Sequence, residues 1–338
     1  MIQSLYLKNY GIHSEIQWKN LGFINLVIGE NGCGKSFILK SIYTAMKTIE
    51  AFGRGKDNRT SAQILFDKLY WTFQPNAVGD LVKKSSTGGL ECKLVLDEGV
   101  FSYGFGDSTV KSISSVSNSC ATRESNSVYI PEKEVVSLFN IIRKSRGQYS
   151  DFGFDDTYLD LVNAISIPTM KGKNYAPFAE SRNILKDIIG GSIDYNEGAN
   201  TWVYTQGKAK FSIGLAAEGV KKIAILDKLL GNRYLDNKSV LIFDEPESGI
   251  HPSAITKLMD ILWLLAKSGM QIFLATHSYF VLKKLYVLAM KQNVSVPLLS
   301  LDRRLDAPSY YDLLDGLPEN PIINESVRLY EEEVGEVL

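Results

Sequence analysis

Phe23-Ile24-Asn25-Leu26-Val27-Ile28-Gly29-Glu30-Asn31-Gly32-Cys33-Gly34-Lys35-Ser36 decides how this chain reads. An apolar run suited to a buried parallel strand breaks into a glycine loop. Behind the loop Ile38, Leu39, Ile42, Ala45, Met46 and Ile49 recur at three- and four-residue steps until Gly53, which predicts a helix and its stop. The loop fits G-x-x-x-x-G-K-[ST], a pattern that arises by chance in roughly one chain in fifty of this length, so the flanking strand and helix carry the assignment. Gly29, Asn31, Gly32, Cys33 and Gly34 would turn backbone N–H groups around phosphate oxygens. Lys35 would reach the β- and γ-phosphates, and the Ser36 hydroxyl would ligate Mg²⁺. The helix N-terminus then faces the anion.

A phosphate loop needs a metal partner and a water-activating group. Ser239-Val240-Leu241-Ile242-Phe243-Asp244-Glu245-Pro246 supplies both at the C-terminal end of a buried strand, where open α/β sheets bind their ligands. Asp244 is the expected Mg²⁺ carboxylate and Glu245 the group that polarises the attacking water. Gln271-Ile272-Phe273-Leu274-Ala275-Thr276-His277-Ser278 is a second such strand, ending in a histidine placed to reach the γ-phosphate. The chain has three histidines, His13, His251 and His277, and two of them fall in this region.

Composition narrows the alternatives. At 338 residues the chain is long for one average domain and short for three. Its 37 Lys plus Arg against 38 Asp plus Glu give no basic excess to advertise nucleic acid and no acidic excess to favour disorder. Met1–Lys8 lacks a charged segment followed by a long apolar core, and apolar residues nowhere run to eighteen. A soluble cytoplasmic protein without a membrane span is expected. Cys33, Cys92 and Cys120 are odd in number and lack C-x-x-C spacing, which argues against a disulfide framework and a structural zinc site. Cys33 sits at a loop position free to vary, so a small side chain explains it without a redox role.

The pattern along the chain predicts an α/β protein with a mostly parallel sheet flanked by helices. Strands are expected at Ile2–Leu7 and Glu15–Trp18, then after Lys56 at Cys92–Leu96 and Phe101–Phe105. Asp107–Ser127, with eight serines, reads as a loop or an edge hairpin. Helical patterning is expected from Val135 to Ile142, over Tyr158–Ile165 and over Phe178–Ile189. Ser192–Tyr195, Thr201–Thr205 and Lys210–Ile213 are strand-like, with turn signals between them. Helix and strand then alternate. The expected organisation is a core from residues 1–55 and 190–320, a mixed insertion over 56–189 without sustained heptads, and a tail over 321–338, acidic and frayed or used for docking.

Leu7-Lys8-Asn9-Tyr10-Gly11 followed by Ile24–Gly32 resembles the ATP-binding lobe of ABC-type ATPases of the chromosome-maintenance and DNA-repair kind. Glu247-Ser248-Gly249-Ile250-His251-Pro252 is similar to the loop that crosses the dimer interface in that superfamily, in the variant of AAA-class ABC-like ATPases related to the OLD (overcoming lysogenization defect) nucleases. The resemblance implies a P-loop NTPase fold, ATP and Mg²⁺ as ligands, and a head-to-tail homodimer or higher oligomer around two ATP–Mg²⁺. It also places the signature motif at Ala217-Glu218-Gly219, which would contact in trans the nucleotide held by the other subunit. Only the glycine of the usual Ser-Gly-Gly is kept, and no residue matches the family's glutamine loop.

The resemblance further implies a switch that acts on a partner. Only 61 residues follow His277, fewer than the nuclease domain of OLD-like relatives needs, so a separate effector chain is expected, with bacterial antiphage defence as the analogy. Two rivals stand beside this reading. One is a nucleotide-gated scaffold with little hydrolysis, suggested by the missing signature hydroxyl. The other is a DNA-repair ATPase touching duplex DNA through Lys83-Lys84, Lys171 with Lys173, or Lys221-Lys222.

Overall fold

The computed structural model describes residues 1–302 and 307–337. The chain opens with β1 (Ile2–Tyr10), β2 (His13–Trp18) and β3 (Ile24–Gly29), then α1 (Lys35–Ala51) and α2 (Ser61–Phe73). There follow β4 (Leu90–Leu96), β5 (Gly99–Phe105), β6 (Ser115–Asn118) and β7 (Ser127–Ile130), then α3 (Phe139–Ile142), α4 (Asp156–Ser166) and α5 (Ala176–Ile189). The strands β8 (Ser192–Asn196), β9 (Thr201–Gln206) and β10 (Ala209–Ser212) lead into α6 (Glu218–Gly231). Strand and helix then alternate as β11 (Val240–Asp244), α7 (Pro252–Lys267), β12 (Gln271–Thr276), α8 (Tyr279–Gln292), β13 (Pro297–Leu301), β14 (Ser309–Asp312) and α9 (Pro321–Val337).

The central sheet runs β14-β13-β3-β12-β11-β7, parallel throughout except for the β13–β14 pair. Its strands are apolar on both faces because both are covered. Leu26, Ile28, Leu241, Phe243, Ile272 and Leu274 point into one core, while Val27, Val240, Ile242, Phe273 and Ala275 point into the other. The second core is closed by an antiparallel sheet, β2-β1-β4-β5-β6, with α1 between the two sheets. This position explains why α1 is buried nearly all round, including Lys47 and Glu50, which pair at 3.4 Å. A third, antiparallel sheet, β10-β9-β8, sends Trp202 and Ile193 into the helical side of the molecule.

Residues 56–189 share these sheets. β4 pairs with β1, and β7 pairs in parallel with β11 at Phe243↔Ile130. Between β7 and α3 the structure departs from the expected helix at Val135. Val135 and Val136 are buried, but helix begins only at Phe139 and passes into a π turn over Arg143–Gln148. The Glu134 carboxylate accepts from Ser137 N at 3.0 Å, a local bond that competes with helix initiation. The helix α2 follows a capping box, with Gln63 N donating to Thr60 Oγ1 and Thr60 N donating to Gln63 Oε1. The expected frayed end is helical too. Asn320 Oδ1 accepts from the N–H groups of Ile322 and Ile323, Pro321 is the first helical residue of α9, and Arg328 pairs with Glu325 and Glu332.

Ala275 lies opposite Asp244 and Thr276 opposite Ile28, so the C-terminal ends of β3, β12 and β11 lie side by side at one edge.

Candidate active site

The loop after β3 wraps the start of α1. Gly34 caps that helix at φ 90°, and a Cβ there would stand 2.4 Å from His13 Nε2, so only glycine fits. His13, the first residue of β2, approaches Gly34 O at 3.4 Å, and burial holds its imidazole below the usual pKa. Lys35 is buried. Its ammonium lies over the loop, donating to Gly29 O at 2.9 Å and Glu30 O at 3.1 Å. Asn31 and Gly32 are exposed, Cys33 is buried beneath them, and Ser36 opens to solvent.

At the end of β11, Asp244 is buried and its two oxygens differ. Oδ2 accepts from Tyr129 Oη at 2.7 Å, whereas Oδ1 is buried without a hydrogen-bond partner. Burial, reinforced by the Asp244 charge, pushes the Tyr129 hydroxyl well above the usual tyrosine pKa, so the phenol is the donor. Glu245 follows in the left-handed region, φ 45°, with its N–H donating to Ala275 O at 2.9 Å. That backbone is unfavourable for a residue with a Cβ and turns the side chain toward the end of β12. There Glu245 Oε1 stands 3.0 Å from His277 Nδ1. The Glu247 carboxylate fixes the same corner, accepting from Thr276 Oγ1 at 2.6 Å and from His277 N at 3.2 Å.

The donor set suits a phosphate-bound divalent cation. An orphaned carboxylate oxygen in a buried position is costly unless a cation takes it up, and oxygen ligands from Asp244 and Ser36 match what Mg²⁺ accepts beside substrate phosphates. Among the described residues no cluster of three or more His, Cys, Asp or Glu could hold a metal by itself.

The start of α6 forms a second group. Ala217 and Glu218 face outward, and Leu215 just before them is 77% exposed. Gly219 faces inward, and a Cβ on it would stand 2.5 Å from Gly249 O in the turn after β11. Lys221 pairs with Glu218 at 3.0 Å and Glu134 at 3.6 Å, and Lys222 donates to the carbonyls of Glu132 and Glu245. Both lysines are buried, which removes Lys221-Lys222 as a surface for duplex DNA. His251 caps α7, accepting from Ser253 N at 3.3 Å, and so has a structural task.

Sequence reasoning missed Tyr129, Glu247 and Lys222 as members of this site. Glu247 carried a signal, being the third acidic residue of Asp244-Glu245-Pro246-Glu247. Tyr129 comes from a four-residue strand 115 positions earlier, and nothing local marks it.

Comparison with known proteins bears on this geometry. A family model described as "AAA domain, putative AbiEii toxin, Type IV TA system" matches residues 106–283, more than half of the chain. None of the curated proteins matches. Among solved structures, an SMC head bound to the C-winged-helix domain of ScpA aligns at 14% identity and TM-score 0.53, covering 92% of this chain and 97% of its own. An SMC head with an extended coiled coil, bound to the C-terminal domain of ScpA derived from Pyrococcus furiosus, aligns at 12% identity and TM-score 0.51, covering 98% of each chain. At these identities the likeness is one of fold, the P-loop NTPase fold of ABC-type ATPase heads.

Proposed function

Because this chain belongs to that AAA-domain family, we propose that it binds and hydrolyses ATP, that two copies close head to tail around two ATP–Mg²⁺, and that closure switches a partner protein. The observation that supports it is the row of groups along one sheet edge: Lys35 after β3, His277 after β12, and Asp244 with Glu245 at the end of β11. In this account the Lys35 ammonium exchanges its carbonyl contacts for β/γ-phosphate oxygens. Ser36 and Asp244 Oδ1 would hold Mg²⁺, which when bound would neutralise charge on those oxygens. Glu245 orients and polarises the attacking water, and His277, 3.0 Å from it, faces the γ-phosphate.

The outward-facing Ala217 and Glu218 are the parts of α6 that another copy's nucleotide would meet. A helix N-terminus suits an anion, although Ala217 offers no hydroxyl. In both solved SMC-head structures a separate chain, ScpA, is bound to the head, and by analogy the effector here is a separate protein. The family description points to a toxin–antitoxin system, so a bacterial defence role in the cytoplasm is the proposed setting. Among the described residues no helix is long and apolar enough to cross a membrane.

Steady-state phosphate release tests the reading. Wild type should turn over ATP in the presence of Mg²⁺ and Glu245→Gln should fall to background. Equal, near-background rates for both would instead favour a nucleotide-gated scaffold.

A further inference from the structure

Lys222 is a buried cation that none of these roles employs. Its residue is 1% exposed, and its ammonium donates to Glu132 O at 3.0 Å and to Glu245 O while standing 5.5 Å from the Phe243 ring. Burial pulls it down to about 8, against the carboxylates of Glu247, Asp244, Glu132 and Glu245. For stability alone an apolar side chain of this length would serve as well, because the charge is desolvated and both of its acceptors are neutral carbonyls. What the ammonium does instead is join three segments: α6, the turn after β7, and the end of β11. It also borders a cleft of about 440 Å³ lined by Glu132, Glu134, Glu218, Ser248 and Gly249.

The bond to Glu245 matters most. Glu245 is held in the left-handed region, and its peptide is gripped at the N–H by Ala275 O and at the carbonyl by Lys222. Lys222 lies one helical turn, about 6 Å, beyond Glu218 at the outward-facing start of α6. We infer that Lys222 is a positioning residue that couples the start of α6, where another copy's nucleotide would engage, to the water-activating residue, and that it holds the Glu245 side chain in its place beside His277. The inference rests on the ATPase reading above and adds the link between the two groups of the site. The ammonium ties α6 to the end of β11 through the Glu245 carbonyl.

The test compares Lys222→Met, which keeps length and loses the charge, with Lys222→Arg, which keeps the charge, in the full chain. Three quantities are measured: kcat and KM for ATP, affinity for a fluorescent ATP analogue, and melting temperature. Lys222→Met should lower kcat by about 10- to 100-fold, the scale of a misplaced catalytic group. Its KM and analogue affinity should stay within about twofold, since no ground-state contact is lost. Lys222→Arg should recover part of kcat, and adding Lys222→Met to Glu245→Gln should lower kcat no further. An active wild type with unchanged kcat in Lys222→Met overturns the inference alone. So does a parallel fall of kcat, analogue affinity and melting temperature that Lys222→Arg does not rescue. A wild type without turnover overturns the ATPase reading and this link with it.

Discussion

Tyr129 Oη donates to Asp244 Oδ2 at 2.7 Å and leaves Oδ1 as the open side of a buried carboxylate. Tyr129→Phe should therefore orphan the second oxygen as well. The expected cost is about 1–3 kcal/mol of stability, the penalty for an unsatisfied buried acceptor. With the carboxylate no longer oriented, the Mg²⁺ concentration that half-saturates nucleotide binding should rise several-fold. Denaturant melts and a Mg²⁺ titration of analogue binding check both parts. Asp244→Ala should abolish the Mg²⁺ dependence altogether.

Lys35→Ala removes the cation lying over the phosphate loop. A charge-assisted contact of about 1.5–3 kcal/mol corresponds to a loss of roughly 10- to 150-fold in ATP affinity. Calorimetric titration gives the number directly, and wild-type affinity would place the nucleotide elsewhere.

Gly219 and Ala217 separate packing from assembly. Gly219→Ala puts a Cβ 2.5 Å from Gly249 O, a backbone atom, and should cost about 1–3 kcal/mol whether or not nucleotide is present. Ala217→Glu adds charge on the outer surface, so its melt should stay within about 0.5 kcal/mol of wild type. Its nucleotide-driven association should weaken. Urea melts beside light scattering would expose the opposite pattern if the start of α6 were not an interface.

The thiols offer a check on the loop. Burial raises Cys33 and pushes Cys92 up to about 12, while Cys120 is raised by burial too but stands partly exposed. A short iodoacetamide pulse at neutral pH, read by peptide mass spectrometry, should label Cys120 first and Cys33 slowly. Rapid labelling of Cys33 would reopen a redox role for the loop.

The strand–loop–helix around Gly29–Ser36 was legible because phosphate chemistry dictates both residue type and spacing, and so were β11 and β12 with their polar ends. The alternation from Val220 onward displayed the parallel sheet. What stayed hidden depends on long-range pairing. β7 is four buried residues with no period to read, and only its partner β11 makes it a core strand. Lys221 and Lys222 read as solvated charge because burial of a lysine is set by what packs over it. The helix α2 carried a readable signal in Thr60-Ser61-Ala62-Gln63, masked by the polar residues before it.

ATP held in a site with a disabled base should glue two copies together. Ligand can drive closure only by contacting the closed form better than the open one, and Glu245→Gln keeps those contacts while removing the charge that consumes ATP. Light scattering of Glu245→Gln with ATP and Mg²⁺ should give the mass of a dimer, returning to monomer without nucleotide and blocked by Ala217→Glu. A mass for Glu245→Gln that is the same with and without ATP would contradict it.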